Sequence, residues 1–212
     1  MKRILIYGDS NVWGDTPDPR RLPDDQQWAN ILAKKLGKNY KIVQEGLCTR
    51  YAGGFKYSAK PYRNGQLHFE PIFRTATPVD LIILALGTND LNTMIYSRSP
   101  EQIAQDILWY EPKVAKITAR YPKETMPKFI YVLPPNIDHN IISEIREMIE
   151  FDFDEKTRQK LNEILRQKVK NFVEINDIKL FGDGLHFLPE GHQQMANAVF
   201  AKIKEMEVEN GQ

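Results

Sequence analysis

The sequence predicts an α/β sandwich, with a central parallel sheet covered by helices on both faces. Four short runs, β-branched and aliphatic almost throughout, suit strands buried on both sides. Longer amphipathic stretches of helical period alternate with them, which is the order that builds a parallel sheet. The chain has 212 residues and 42% hydrophobic content, and no repeat, low-complexity tract or Gly/Ser linker divides it, so one domain over residues 1–212 is expected.

The strands are Arg3 to Tyr7, Tyr40 to Val43, Val79 to Leu86 and Lys128 to Leu133. Between the first two, Asp25 to Leu36 sets Trp28, Ile31, Leu32 and Leu36 on one helical face and stops at Gly37. After the third strand, Ser99 caps a helix with Pro100 in its first turn and Ile103, Ile107 and Leu108 on its apolar side. Pro112 should kink or split that helix, because proline has no N–H and its ring collides with the preceding turn. Asp154 to Val169 carries Leu161, Ile164, Leu165 and Val169 at helical spacing, and a last helix from Pro189 buries Met195, Val199, Ile203 and Met206. Leu47 to Pro78 and Pro134 to Ile142 show no clear period and read as long loops that shape a pocket.

Lys and Arg number 29 against 28 Asp and Glu, so no bulk charge draws the protein to nucleic acid or an anionic membrane. The single cysteine, Cys48, excludes an intramolecular disulfide framework and a Cys-only metal cage, and it suits a reducing cytosol. Ile4-Leu5-Ile6-Tyr7 is too brief for the core of a signal peptide, and nothing approaches the roughly 18 uninterrupted apolar residues of a membrane span. A soluble cytoplasmic protein is expected, with neither nucleic acid nor membrane as partner.

The chemistry lies at the strand ends. The first strand runs into Gly8-Asp9-Ser10-Asn11, which puts a serine where open α/β sheets bind their ligands. A serine hydroxyl is a weak nucleophile without a base. Asp183-Gly184-Leu185-His186 offers one: a carboxylate three residues before an imidazole, with a glycine for a tight turn, can hold one ring nitrogen while the other faces a serine. The third strand ends in Gly87-Thr88-Asn89-Asp90, where Asn89 can donate to a developing oxyanion. The second ends in Glu45-Gly46-Leu47-Cys48-Thr49-Arg50, whose backbone N–H groups can join it.

These four blocks, in this order, resemble the SGNH or GDSL hydrolases over essentially the whole chain. The resemblance implies a three-layer flavodoxin-like fold, Ser10 as nucleophile, His186 as base and Asp183 as its partner. It further implies an oxyanion hole from the Ser10 N–H, a second-block N–H at Thr49 and the Asn89 side chain. The family's second block usually reads N-x-x-x-x-G. Here Gln44 stands at the asparagine and Thr49 at the glycine, which keeps the backbone donor and adds a side chain beside the hole. Asp9-Ser10 with Trp13-Gly14, Glu45-Gly46-Leu47 with Arg50, and Lys2-Arg3-Ile4-Leu5 look most like the small intracellular arylesterases and acyltransferases. That implies short acyl esters of small molecules, hydrolysed or transferred through an acyl-enzyme, no cofactor, and a homo-oligomer. Asn11, Trp13 and Gly46 are the expected pocket residues.

Plainer readings stand beside these. Ser10 can be a turn or capping serine, and Asp9 a carboxylate that fixes the turn. His192 reads as a helix-start or packing residue; with Asp183 and His186 it would make a metal cluster lacking a fourth ligand, so no metal is expected. Cys48 reads as a small buried hydrophobe rather than a nucleophile. The basic, aromatic stretch from Phe55 to Phe73 suits a pocket wall or oligomer contact better than nucleic-acid stacking. Carbohydrate acetyl esterase and thioesterase activity need the same catalytic set. A small-ligand binding module is the non-enzyme alternative, but the loop after the first strand has neither G-x-x-x-x-G-K nor G-x-G-x-x-G.

Overall fold

The computed structural model describes residues 1–18, 20–54, 60–121 and 125–209. In chain order its elements are β1 (Lys2–Gly8), α1 (Ser10–Trp13), α2 (Trp28–Leu36), β2 (Tyr40–Gly46), α3 (Gly65–Ala76), β3 (Leu81–Ala85), α4 (Pro100–Leu108), α5 (Tyr110–Thr118), β4 (Lys128–Val132), α6 (His139–Ile149), α7 (Glu155–Lys168), β5 (Phe172–Val173) and α8 (Pro189–Glu209). The strands form one parallel sheet in the order β2-β1-β3-β4-β5.

Side chains alternate across a strand, so a strand apolar at every position must be covered twice. Ile4 and Ile6 pack with Ile83, Ile130 and Val132 against Trp28 of α2 and Met195, Val199 and Ile203 of α8. Leu5 and Tyr7 face the other way, with Ile82, Leu84, Phe129 and Tyr131 against Phe69 of α3, Ile107 of α4, Tyr110 of α5 and Leu161 of α7. Each fully buried side chain of this size stabilises the fold by roughly 2 kcal/mol. The result is the three-layer flavodoxin-like sandwich. Its edge strand β2 is half-buried rather than covered on both sides.

The long helix after Ser99 is split, as Pro112 required: α4 ends at Leu108 and α5 begins at Tyr110. Two segments read as loops contain helices. In the first, Asn64 caps α3 by accepting from the N–H groups of Gln66 and Leu67, and Phe69, Phe73 and Ala76 form its buried side despite Pro71 in its interior. In the second, Asp138 caps α6 through Asn140 and Ile141. Residues 55–59 of the basic, aromatic stretch lie outside the described residues. β5 is only two residues long, too short for an apolar run to announce it.

β2 and β3 flank β1 on opposite sides, so the chain reverses its winding there and a crevice opens at the carboxyl ends of these strands. The loops that follow β1, β2 and β3 meet at that edge.

Candidate active site

Ser10 begins α1 directly beyond β1. Asp9 caps this short helix, its Oδ1 accepting from the Asn11 N–H at 3.0 Å. Burial pushes the Asp9 carboxyl up to about 6, against the hydrogen bond from Asn11 and the charges of His186 and Arg50. α1 lies close across the end of β2: a Cβ on Gly46 would stand 2.3 Å from the Trp13 nitrogen, so only glycine lets the two backbones meet.

Between β5 and α8, Asp183 begins a turn in which its Oδ1 accepts from the N–H groups of Leu185 and His186, both at 3.0 Å. Gly184 takes the left-handed conformation this needs, with φ at 69°. The turn presents Asp183 Oδ2 to His186 Nδ1 at 2.6 Å, and His186 Nε2 to Ser10 Oγ at 3.1 Å. Burial alone would raise the Asp183 carboxyl, but the hydrogen bonds and charge of His186 outweigh it and hold it below the usual carboxylate range. Burial likewise lowers His186, yet the bond and charge of Asp183, with Asp15 and Asp9 beyond, bring it above the ordinary histidine value. The imidazole is thereby held by one ring nitrogen and offered by the other.

Asn89 opens the turn after β3. Its Nδ2 donates to the Arg50 carbonyl at 3.2 Å, which ties that turn to the loop after β2. Asp90 strengthens the tie, accepting from the Ala52 N–H at 2.8 Å and pairing with Arg98 at 2.9 Å. The buried Arg50 donates to the Gly8 and Glu45 carbonyls and stacks 4.1 Å from the Tyr7 ring, so it locks the ends of β1 and β2 together. Thr49 sits in this loop at φ 61°, a conformation β-branched residues rarely adopt. Among the described residues no acceptor meets its N–H. Strain of this kind concentrates where a backbone group must be aimed.

Two expected pocket residues make structural contacts at the site. Asn11 is buried: its Oδ1 accepts from the Phe187 N–H at 3.0 Å and its Nδ2 donates to the Leu185 carbonyl at 3.3 Å. It clamps the His186 turn from both sides. Gly46 is packed under α1. Trp13 is half-buried, with the Arg21 guanidinium 5.2 Å from its ring. His192 is fully buried at the start of α8, where Nδ1 accepts from the Trp28 N–H at 3.2 Å, and burial drives it down to about 4. Asp15, an acid one step past Gly14 with no motif to mark it in the sequence, has its Oδ2 3.6 Å from His186 Nε2.

A serine, an imidazole and a carboxylate in line at the carboxyl edge of a parallel sheet make the arrangement of a serine acyl hydrolase. The profile of the GDSL-like lipase/acylhydrolase family matches residues 4–199, and the chain belongs to that family. Serine ester hydrolysis is its chemistry. No curated protein matches the chain. Among solved structures it is similar to the native aryl esterase of M. smegmatis, at 25% identity and TM-score 0.81, covering 97% of this chain and 99% of that one. It is also similar to Est24, a carbohydrate acetylesterase from Sinorhizobium meliloti, at 23% identity and TM-score 0.82, covering 97% and 100%. A lipase/acylhydrolase from Enterococcus faecalis shares the fold at 16% identity and TM-score 0.64, covering 97% of each chain. Among the described residues no helix is long and apolar enough to cross a membrane.

Proposed function

We propose that residues 1–212 act as one domain that cleaves short acyl esters of small alcohols through an acyl-enzyme on Ser10. The observation that carries this is the unbroken line from Asp183 Oδ2 through His186 to Ser10 Oγ, with contacts of 2.6 and 3.1 Å. In this reading His186 Nε2 takes the Ser10 proton as Oγ bonds to the acyl carbon, and the carbonyl oxygen gains the negative charge. The N–H groups of Ser10 and Thr49 and the free N–H of Asn89 meet that charge. Collapse expels the alcohol, which leaves with the proton from Nε2. Water, giving its proton to Nε2, then attacks the acyl carbon; its oxygen leaves in the acid and Ser10 Oγ recovers the proton. An alcohol in place of water gives acyl transfer.

Short acyl groups fit because the Thr49 side chain stands beside the proposed hole. The aryl and carbohydrate acetyl esters in the names of the similar structures both fall in this class. The single cysteine, Cys48, suits a cytoplasmic setting. The exposed run Met94, Ile95 and Tyr96, just past the Asn89 turn, supports a homo-oligomer, which light scattering tests. The deciding experiment is Ser10→Ala on p-nitrophenyl esters of increasing chain length. Turnover should fall to background in a folded protein, and the native enzyme should prefer acetate. Unchanged turnover overturns the proposal.

A further inference from the structure

A second carboxylate faces His186 from the side opposite Asp183. Asp15 Oδ2 stands 3.6 Å from Nε2, close to the Ser10 Oγ at 3.1 Å from the same nitrogen. Its position is built by three elements. Gly14, at φ 91°, turns the chain so that the Asp15 N–H donates to the Ser10 carbonyl at 3.0 Å. Asp15 Oδ1 accepts from the Thr16 N–H at 3.1 Å. From the loop after β2, the Cys48 thiol lies close enough to feel the same carboxylate; burial, then the Asp15 charge, pushes that thiol up to about 12. Among the described residues the only ion-pair partner of Asp15 is His186, and 28% of the Asp15 side chain stays open to a bound molecule.

In the reaction read from this site, Nε2 protonates the departing alcohol oxygen and later takes a proton from the incoming water. Both oxygens must come within hydrogen-bond reach of Nε2. Asp15 stands beside that path, facing the same nitrogen that must meet the departing alcohol oxygen. We propose that Asp15 is a specificity-determining residue that reads the alcohol half of the ester, favouring alcohols with a positive charge and rejecting those with a negative one. The inference rests on the Ser10–His186 reading, and its chemistry is simple. A charge placed two carbons from the ester oxygen falls within a few ångströms of the carboxylate, in a cleft where water screens only in part. Neither Asp183 nor Asp9 can substitute, since both are buried behind the imidazole and the nucleophile turn.

The test compares three acetates of similar shape: acetylcholine, its uncharged isostere 3,3-dimethylbutyl acetate, and 2-sulfoethyl acetate. The neutral ester is the internal reference in each enzyme. The native enzyme should show kcat/KM in the order cationic, neutral, anionic, with steps of about tenfold, and Asp15→Asn should remove most of both steps. About 0.5 M salt should shrink the same ratios in the native enzyme, which decides the matter if Asp15→Asn does not fold. Where turnover is slow, the three compounds are ranked as competitive inhibitors of p-nitrophenyl acetate, and the same order is required. Ratios that are flat in the native enzyme, unchanged in Asp15→Asn or indifferent to salt overturn the inference, provided Ser10→Ala is inactive. Turnover by Ser10→Ala overturns the underlying reading instead.

Discussion

Asn89→Ala separates two jobs of one amide, the bond to the Arg50 carbonyl that the structure shows and the oxyanion contact that the proposed mechanism assigns. One Nδ2 hydrogen is spent on the Arg50 carbonyl at 3.2 Å, and the other is available to an oxyanion. Losing the first leaves a buried carbonyl without its donor, at a cost of about 1–3 kcal/mol of stability. Losing the second removes a hydrogen bond that strengthens only as charge develops, about 2.7–4 kcal/mol or on the order of a hundredfold to a thousandfold in kcat. The larger figure is kinetic, so the activity loss must outrun the stability loss. A domain with roughly 5–15 kcal/mol of stability stays folded after this change. Urea melts measure the first quantity and p-nitrophenyl acetate kinetics the second, with KM expected to change little because substrate binding in the ground state does not use the bond. Asn89→Asp keeps the shape but replaces the donor by an acceptor facing the oxyanion, and should lose at least as much. A mild effect confined to KM would refute the placement, because it would make Asn89 a ground-state contact or only a staple for the Arg50 loop.

Two further outcomes follow from the same geometry. His186 must be neutral to take the Ser10 proton, and the Asp183 bond and charge, with Asp15 and Asp9, raise it against the lowering effect of burial. In a pH–rate profile, kcat/KM should therefore climb with pH and level off through a midpoint above the roughly 6.5 of a free histidine; a midpoint below that value contradicts the arrangement. Thr49→Gly should relieve the left-handed strain at φ 61°, about 1–2 kcal/mol, while losing about 0.5–1 kcal/mol to the freer unfolded chain, so thermal stability should stay nearly level. The same change should raise the ratio of p-nitrophenyl butyrate to acetate turnover, and an unaltered ratio would remove Thr49 from the acyl side of the site.

What the sequence made legible follows the range of each interaction. β1, β3 and β4 are visible because both faces of each are buried, so the apolar run is continuous; β5 has two residues and pairs only through its neighbours' backbone. α6 carried its signal in Asp138 and in Ile141, Ile142, Ile145 and Ile149, but the polar stretch before it concealed the start. α3 was hidden by Pro71, which tertiary packing of Phe69 and Phe73 overrides. Ser10, Asn89, Asp183 and His186 were nameable because each sits in a short local motif at a strand or turn end. The contacts of Asn11 and Asp15 are not local in that sense. Asn11 reads like a pocket residue beside the nucleophile, yet its amide is consumed by Leu185 and Phe187, 174 and 176 residues away. Asp15 reads like an ordinary loop acid until the fold brings His186 to it. Both residues bear on the same imidazole, Asn11 by fixing its loop and Asp15 by facing its reactive nitrogen. Nucleophile turn and base turn therefore form one unit, and a substitution in the first should be read for its effect on the second.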